Sequence, residues 1–219
     1  MNYRNTPKNQ ATRRVLLTAC ATALAVAFTV SLPQSAHAEK VTPPPVPAGL
    51  EVSSDFEAFL VGHAIGTQNY VCQPSGGSFA FVLFTPQATL FDDADHQIIT
   101  HFFSPNPDEG GTIRATWENS RDTSTIWAAV VPDGSATVDP NSIAWLKLAV
   151  VGAEDGPTGG GKLSDTKFVQ RLSTFGGLAP TTGCSSLADV GKKEFVPYQA
   201  DYFFYKKAAG SDADHNNRR

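Results

Sequence analysis

The 219-residue chain is 41% hydrophobic and 17% charged, which suits one globular domain with a sizeable core. Its formal net charge is −4, and no basic patch is interleaved with aromatics. Such a chain repels phosphate backbones, so composition argues against nucleic-acid partners.

The N-terminal stretch has the makings of an export signal. Arg4, Lys8, Arg13 and Arg14 precede an uncharged apolar run, 15–32, and Ala36-His37-Ala38 places small residues where a signal peptidase reads. Residues 1–38 are therefore expected to be a signal peptide cut after Ala38. That would leave a mature protein without a membrane span, in the periplasm or outside the cell. Thr12-Arg13-Arg14-Val15-Leu16-Leu17 approximates a twin-arginine signal, a route for folded chains. Removal of this segment leaves 13 Lys and Arg against 21 Asp and Glu, a net charge of −8 suited to solubility. It also leaves Cys72 and Cys184 as the only cysteines. An even count in an oxidising compartment points to one disulfide. A thiolate metal pair has no CxxC spacing to support it, and the compartment argues against two free thiols.

Residues 39–50, with Pro43, Pro44, Pro45 and Pro47, read as an extended linker. The domain proper is expected over 51–205. Short β-type runs follow one another: 56–61 and 64–73, split by Gly62-His63; 78–85, ended by Pro86; 89–91; 97–103; 112–117; 125–131; 143–151; 167–175; and 198–205. Pro132-Asp133-Gly134 reads as a turn, 152–161 as a mobile glycine-rich loop, and 206–219 as a disordered polar tail. Nine or ten strands with no amphipathic helix predict an all-β, single-domain antiparallel β-sandwich or barrel carrying one disulfide. In the last strand Tyr198, Ala200, Tyr202 and Phe204 share one face, and Phe203 and Tyr205 lie on the other.

Several segments carry a family resemblance: GTQNYVC (66–72), FTPQATLFD (84–92), THFFSPNP (100–107), IAWLKL (143–148), VQRLSTFGGLAPTTGC (169–184) and VPYQADYFFYK (196–206). In this order they resemble the DUF3455 family, exported bacterial and fungal domains of unknown function. The resemblance implies a single secreted domain holding both cysteines and no established activity. Fungal relatives often carry a malate dehydrogenase label, from which this sequence departs: no GxGxxG follows a strand and opens a helix.

Chemical motifs are sparse. The segment 156–162 mimics a phosphate-binding loop, but Leu163 stands where Ser or Thr is needed and a β-run follows. Ser164-Asp165-Thr166-Lys167 matches SxxK without its partner motifs, and GxSxG is absent. Asp92, Asp93 and Asp95 lack the rest of a calcium loop. His63, His96 and His101 suffice in number for a metal, but their spacing does not force convergence, so no metal or other cofactor is expected. Arg171, inside an apolar strand, calls for a carboxylate partner, with Asp122 or Asp201 the candidates, or else for a ligand. The candidate ligand-binding residues are thus His63, His101, Arg114, Trp117 and Arg171. The reading that follows is a non-catalytic exported module binding a small molecule, glycan or envelope partner. The alternative is a metal- or cofactor-dependent secreted enzyme using His63 or His101.

Overall fold

A computed structural model describes residues 41–210; the expected signal peptide and most of the expected tail lie outside the described residues. Eight strands form a closed antiparallel barrel in simple chain order, β8 pairing back to β1. They are β1 (Phe56–Ser75), β2 (Ser78–Phe91), β3 (Gln97–Asn106), β4 (Thr112–Asn119), β5 (Thr125–Ala136), β6 (Trp145–Glu154), β7 (Phe168–Gly176) and β8 (Lys193–Lys207). Closure removes exposed sheet edges, so of the two all-β expectations the barrel is the one formed. Among the described residues no helix is long and apolar enough to cross a membrane.

The strand count is lower than expected because two supposed breakers sit inside strands. Gly62 continues β1: a Cβ there would lie 2.9 Å from Leu90 Cδ2, so glycine provides room for a core leucine. Pro86 continues β2 because β2 meets β3 only from Ala88 onward. Before that point Pro86 faces no neighbour on that side needing its missing N–H, and a register shift between Asn69 and Tyr70 lies opposite. Pro132-Asp133-Gly134 likewise falls within β5, where the β6 register shifts between Val130 and Ser135.

For orientation, the end carrying the β1–β2 turn is called upper and the end near Phe56 and Lys207 lower. The lower end is packed shut by Leu90, Ile99, Ile126, Phe204 and Leu163, all completely buried. Leu163 belongs to the glycine-rich connection, which is pinned rather than loose. Asp122 Oδ2 accepts from the Lys162 backbone N–H (2.9 Å) and Ser124 Oγ from that of Leu163 (3.1 Å).

The Pro-rich stretch expected to be a linker is instead a strap on the outer face. Val41, Val46 and Val52 pack with Leu172, Phe203, Tyr205, Trp145 and Phe168. Leu50 is fully buried and its carbonyl accepts from Gln170 Nε2 (2.6 Å). The second aromatic face of β8 needs this cover, since its first face fills the barrel. The start of the expected tail, Lys206 and Lys207, completes β8 opposite Glu57 and Phe56.

At the upper end Cys72 and Cys184 are disulfide-bonded, with Cα atoms 5.5 Å apart. The bond ties the β7–β8 connection to β1. Backbone bonds reinforce the tie, the Cys72 N–H donating to Lys192 O (2.8 Å) and Gly191 N–H to Cys72 O (2.9 Å).

Candidate functional site

The register of the sheet gathers the site. Ala88, His101 and Trp117 lie side by side on β2, β3 and β4, and Leu146, Arg171 and Tyr202 on β6, β7 and β8. Alternation points these side chains into the barrel. Above Ala88 and His101 the β2–β3 ladder stops, and β4 meets β5 only over Ala115–Glu118. The upper barrel therefore splays, leaving a lumen of about 240 Å³ lined by Gln68, His101, Trp117, Arg171, Tyr202 and a set of apolar side chains. Among the latter, Leu83, Phe103, Ala115 and Leu146 are partly exposed and Val130 is exposed, which marks the mouth. Gly177 covers the β1–β8 side. Its φ of +81° and its close approach to Tyr198 Cβ (2.8 Å from a built Cβ) both require glycine, and its carbonyl accepts from the Tyr70 hydroxyl (2.5 Å).

Three rings form the wall of the lumen. His101 stacks on Trp117 with centroids 4.4 Å apart and planes 10° from parallel. Tyr202 closes against both, at 5.1 and 5.6 Å. His101 Nδ1 lies 2.8 Å from the Thr116 carbonyl, which can only accept, so Nδ1 carries the proton. Burial, opposed by that hydrogen bond and helped by the charge of Arg171, lowers the His101 pKa to about 3. The ring is thus neutral, its Nε2 lone pair a hydrogen-bond acceptor that takes a proton only in acid.

The polar groups are mostly donors. Arg171 Nε and Nη2 both donate to the Ala144 carbonyl (3.1 and 2.8 Å). No carboxylate of the described residues lies within salt-bridge distance of it. The two partners suggested by sequence are engaged elsewhere: Asp201 with His63, and Asp122 with Ser124 and the Lys162 backbone. Trp117 Nε1 is buried without an acceptor. Gln68 Nε2 is too: it approaches the Tyr198 hydroxyl but makes no hydrogen bond of good geometry. The Tyr198 and Tyr202 hydroxyls lie 3.3 Å apart, and burial raises both pKa values, so both remain protonated. Two protons and one mutual contact leave one proton free.

Of the five candidates from sequence, the lumen brings together His101, Trp117 and Arg171. His63 and Arg114 lie elsewhere. Arg114, on the opposite face of β4 from Trp117, is clamped by Glu109 through two bonds of 2.7 and 2.6 Å. The guanidinium, with help from Asn106, lowers the Glu109 pKa to about 2. The ion pair expected at Arg171 is thus found at Arg114. His63 lies between Asp201 (Nδ1, 2.7 Å) and Asp93 (Nε2, 3.0 Å). Carboxylates accept from both ring nitrogens, and the hydrogen bond to Asp201, then that to Asp93, raises its pKa. Among the described residues no three His, Cys, Asp or Glu side chains group to hold a metal.

Gln68, Tyr198 and Tyr202 were not among the candidates. The two tyrosines were legible as one strand face; Gln68 shares parity with Ala64, which barrel closure turns inward.

Fold and site together define a closed antiparallel β-barrel with a cationic lumen rich in hydrogen-bond donors. The chain belongs to the DUF3455 family, described as protein of unknown function, whose family model matches residues 53–206. No curated protein and no solved structure matches the chain.

Proposed function

We propose that this protein is a non-catalytic binding module that takes one small molecule into the upper half of its barrel. It works as an exported protein, with residues 1–38 as the export signal. One observation carries the binding reading: a lumen of about 240 Å³, walled by aromatics and aliphatics, in which buried Trp117 Nε1 and Gln68 Nε2 have no partner. Native interiors leave few such donors, because each costs roughly 1–3 kcal/mol when buried unpaired. A concave, mostly apolar site with a few convergent polar groups is the usual form of a small-molecule site. The volume is slightly below the roughly 300–1,000 Å³ of drug-sized sites, which limits the occupant to about one ring and a short side arm.

A metal-dependent enzyme using His63 or His101 has less support. Both His63 nitrogens are taken by carboxylates, and His101 has no metal-ligating neighbour among the lumen residues.

The test is saturable binding of neutral benzyl alcohol, one ring with a short side arm, to the full mature chain by calorimetric titration. We expect one site, lost when Ala115→Trp fills the mouth. Binding that is undiminished in Ala115→Trp would place the probe elsewhere and sink the lumen reading. N-terminal sequencing of protein secreted by its host tests export, with Glu39 expected as the first residue.

A further inference from the structure

We infer that the occupant of the lumen is a small organic monoanion, a carboxylate carried on an apolar or single-ring aromatic body, with Arg171 as its counter-ion. This rests on the lumen being a binding site and adds the chemistry of its ligand.

The argument begins with charge. Arg171 brings one positive charge into a space whose lining contains no Asp or Glu. His101 cannot share or oppose that charge, because its imidazole is neutral. The protein as a whole carries a net charge of −4, opposite in sign to the one charge that lines the lumen. A cationic ligand would meet repulsion there, and a neutral one would leave the half-buried guanidinium without a counter-charge. A dianion would bring one charge more than the site can balance. A monoanion matches.

Hydrogen-bond supply agrees with this. Two of the guanidinium's five N–H donors go to Ala144 and the group also faces the Tyr202 hydroxyl, leaving others for a ligand. Trp117 Nε1, Gln68 Nε2 and one tyrosine proton are further donors without an assigned acceptor. Against these donors stands one imidazole acceptor, the His101 Nε2 lone pair, so donors outnumber it and the missing species is one that chiefly accepts. A carboxylate offers about four lone-pair sites and meets arginine bidentately. Its apolar body would lie against the His101–Trp117 stack and Leu148, which supply aromatic and aliphatic surface but no further charge.

The experiment compares three probes of the same body, 3-phenylpropanoate, 3-phenylpropanol and 3-phenylpropylamine, by calorimetric titration at pH 7. We expect the carboxylate to bind at least tenfold tighter than the alcohol and the amine not to bind. In Arg171→Met the carboxylate should fall to the affinity of the alcohol, which should change less than twofold. Alcohol binding as tightly as carboxylate, or a preference that survives Arg171→Met, overturns the anion while leaving the lumen site standing. Failure of all three probes, together with failure of benzyl alcohol, overturns both. Trp117→Phe removes the indole N–H together with the five-membered ring that carries it, so the alcohol probe controls for the lost surface, and it serves if Arg171→Met does not fold. It should weaken the carboxylate at least threefold more than the alcohol, and equal effects on both probes would overturn the inference.

Discussion

At the lower end of the barrel Leu90, Ile99, Ile126 and Leu163 meet with no accessible surface, and the connection that delivers Leu163 is fastened through Asp122 and Ser124. At the upper end the same strands part where the β2–β3 ladder stops, and Trp117 and Gln68 are left with unused donors. One end has satisfied its groups and the other has not. Buried donors without partners cost stability, and a chain keeps such a cost where binding requires it. The lower end therefore supplies stability that the upper end spends.

The largest test of this division is the tether at the upper end. Cys72 and Cys184 are separated by 112 residues, and on the chain-entropy model that closure contributes about 4–5 kcal/mol. A Cys72→Ser, Cys184→Ser variant should lose that much in urea unfolding. It should also bind lumen ligands less well, because Gly177 follows β7 into the tethered connection.

Next in size is acid sensitivity from inside the lumen. The His101 pKa is about 3 in the folded chain against 6.5 for a free histidine, so between these values only the unfolded chain takes up the proton. Stability from this group is complete above pH 6.5 and is lost as pH falls toward 3. By pH 3.5 the loss is about 4 kcal/mol. In His101→Phe the acid limb of the stability curve should be shallower by that amount; parallel curves would mean the imidazole is solvated.

Leu163→Ala probes the closed end. A fully buried leucine truncated in a packed core costs roughly 2–5 kcal/mol, here taken as about 3. Affinity for a lumen ligand should stay within twofold, since Leu163 does not line the lumen. Arg171→Met should do the reverse. It exchanges an arginine lacking a carboxylate for an apolar side chain of similar length, and should shift stability by no more than about 1 kcal/mol in either direction while abolishing anion preference.

The sequence made the sheet legible but not its closure. Period-two alternation in 198–205 showed two aromatic faces, yet alternation does not say which faces inward. Closure into a barrel settles that, through the pairing of β8 with β1 across more than a hundred residues. The strap was missed because prolines read as solvated chain, whereas the outer aromatics Phe203 and Tyr205 needed cover. His101, Trp117 and Arg171 drew notice as residue types, but their convergence depends on the long-range registers of two strand triplets. Arg114 and Arg171 exchanged roles for the same reason. Glu109, which binds Arg114, is five residues away at a turn, while Arg171 is surrounded by residues remote in sequence.

His63 gives the smallest effect and the sharpest contrast with His101. It lies on the outer face, its side chain 44% exposed, joining Asp201 on β8 to Asp93 in the β2–β3 connection. Its folded pKa is raised, so the stability it contributes is complete below about 6.5 and is lost as pH rises through the folded value. Solvent screening holds the contribution to well under ~1 kcal/mol. The two histidines therefore act with opposite sign on the same curve. The hydrogen bond to Asp201 is the larger cause of the shift. Asp201→Asn should consequently lower the His63 pKa, followed by NMR of its ring protons, further than Asp93→Asn does. Equal shifts would mean that the loop carboxylate holds the ring as firmly as the strand carboxylate.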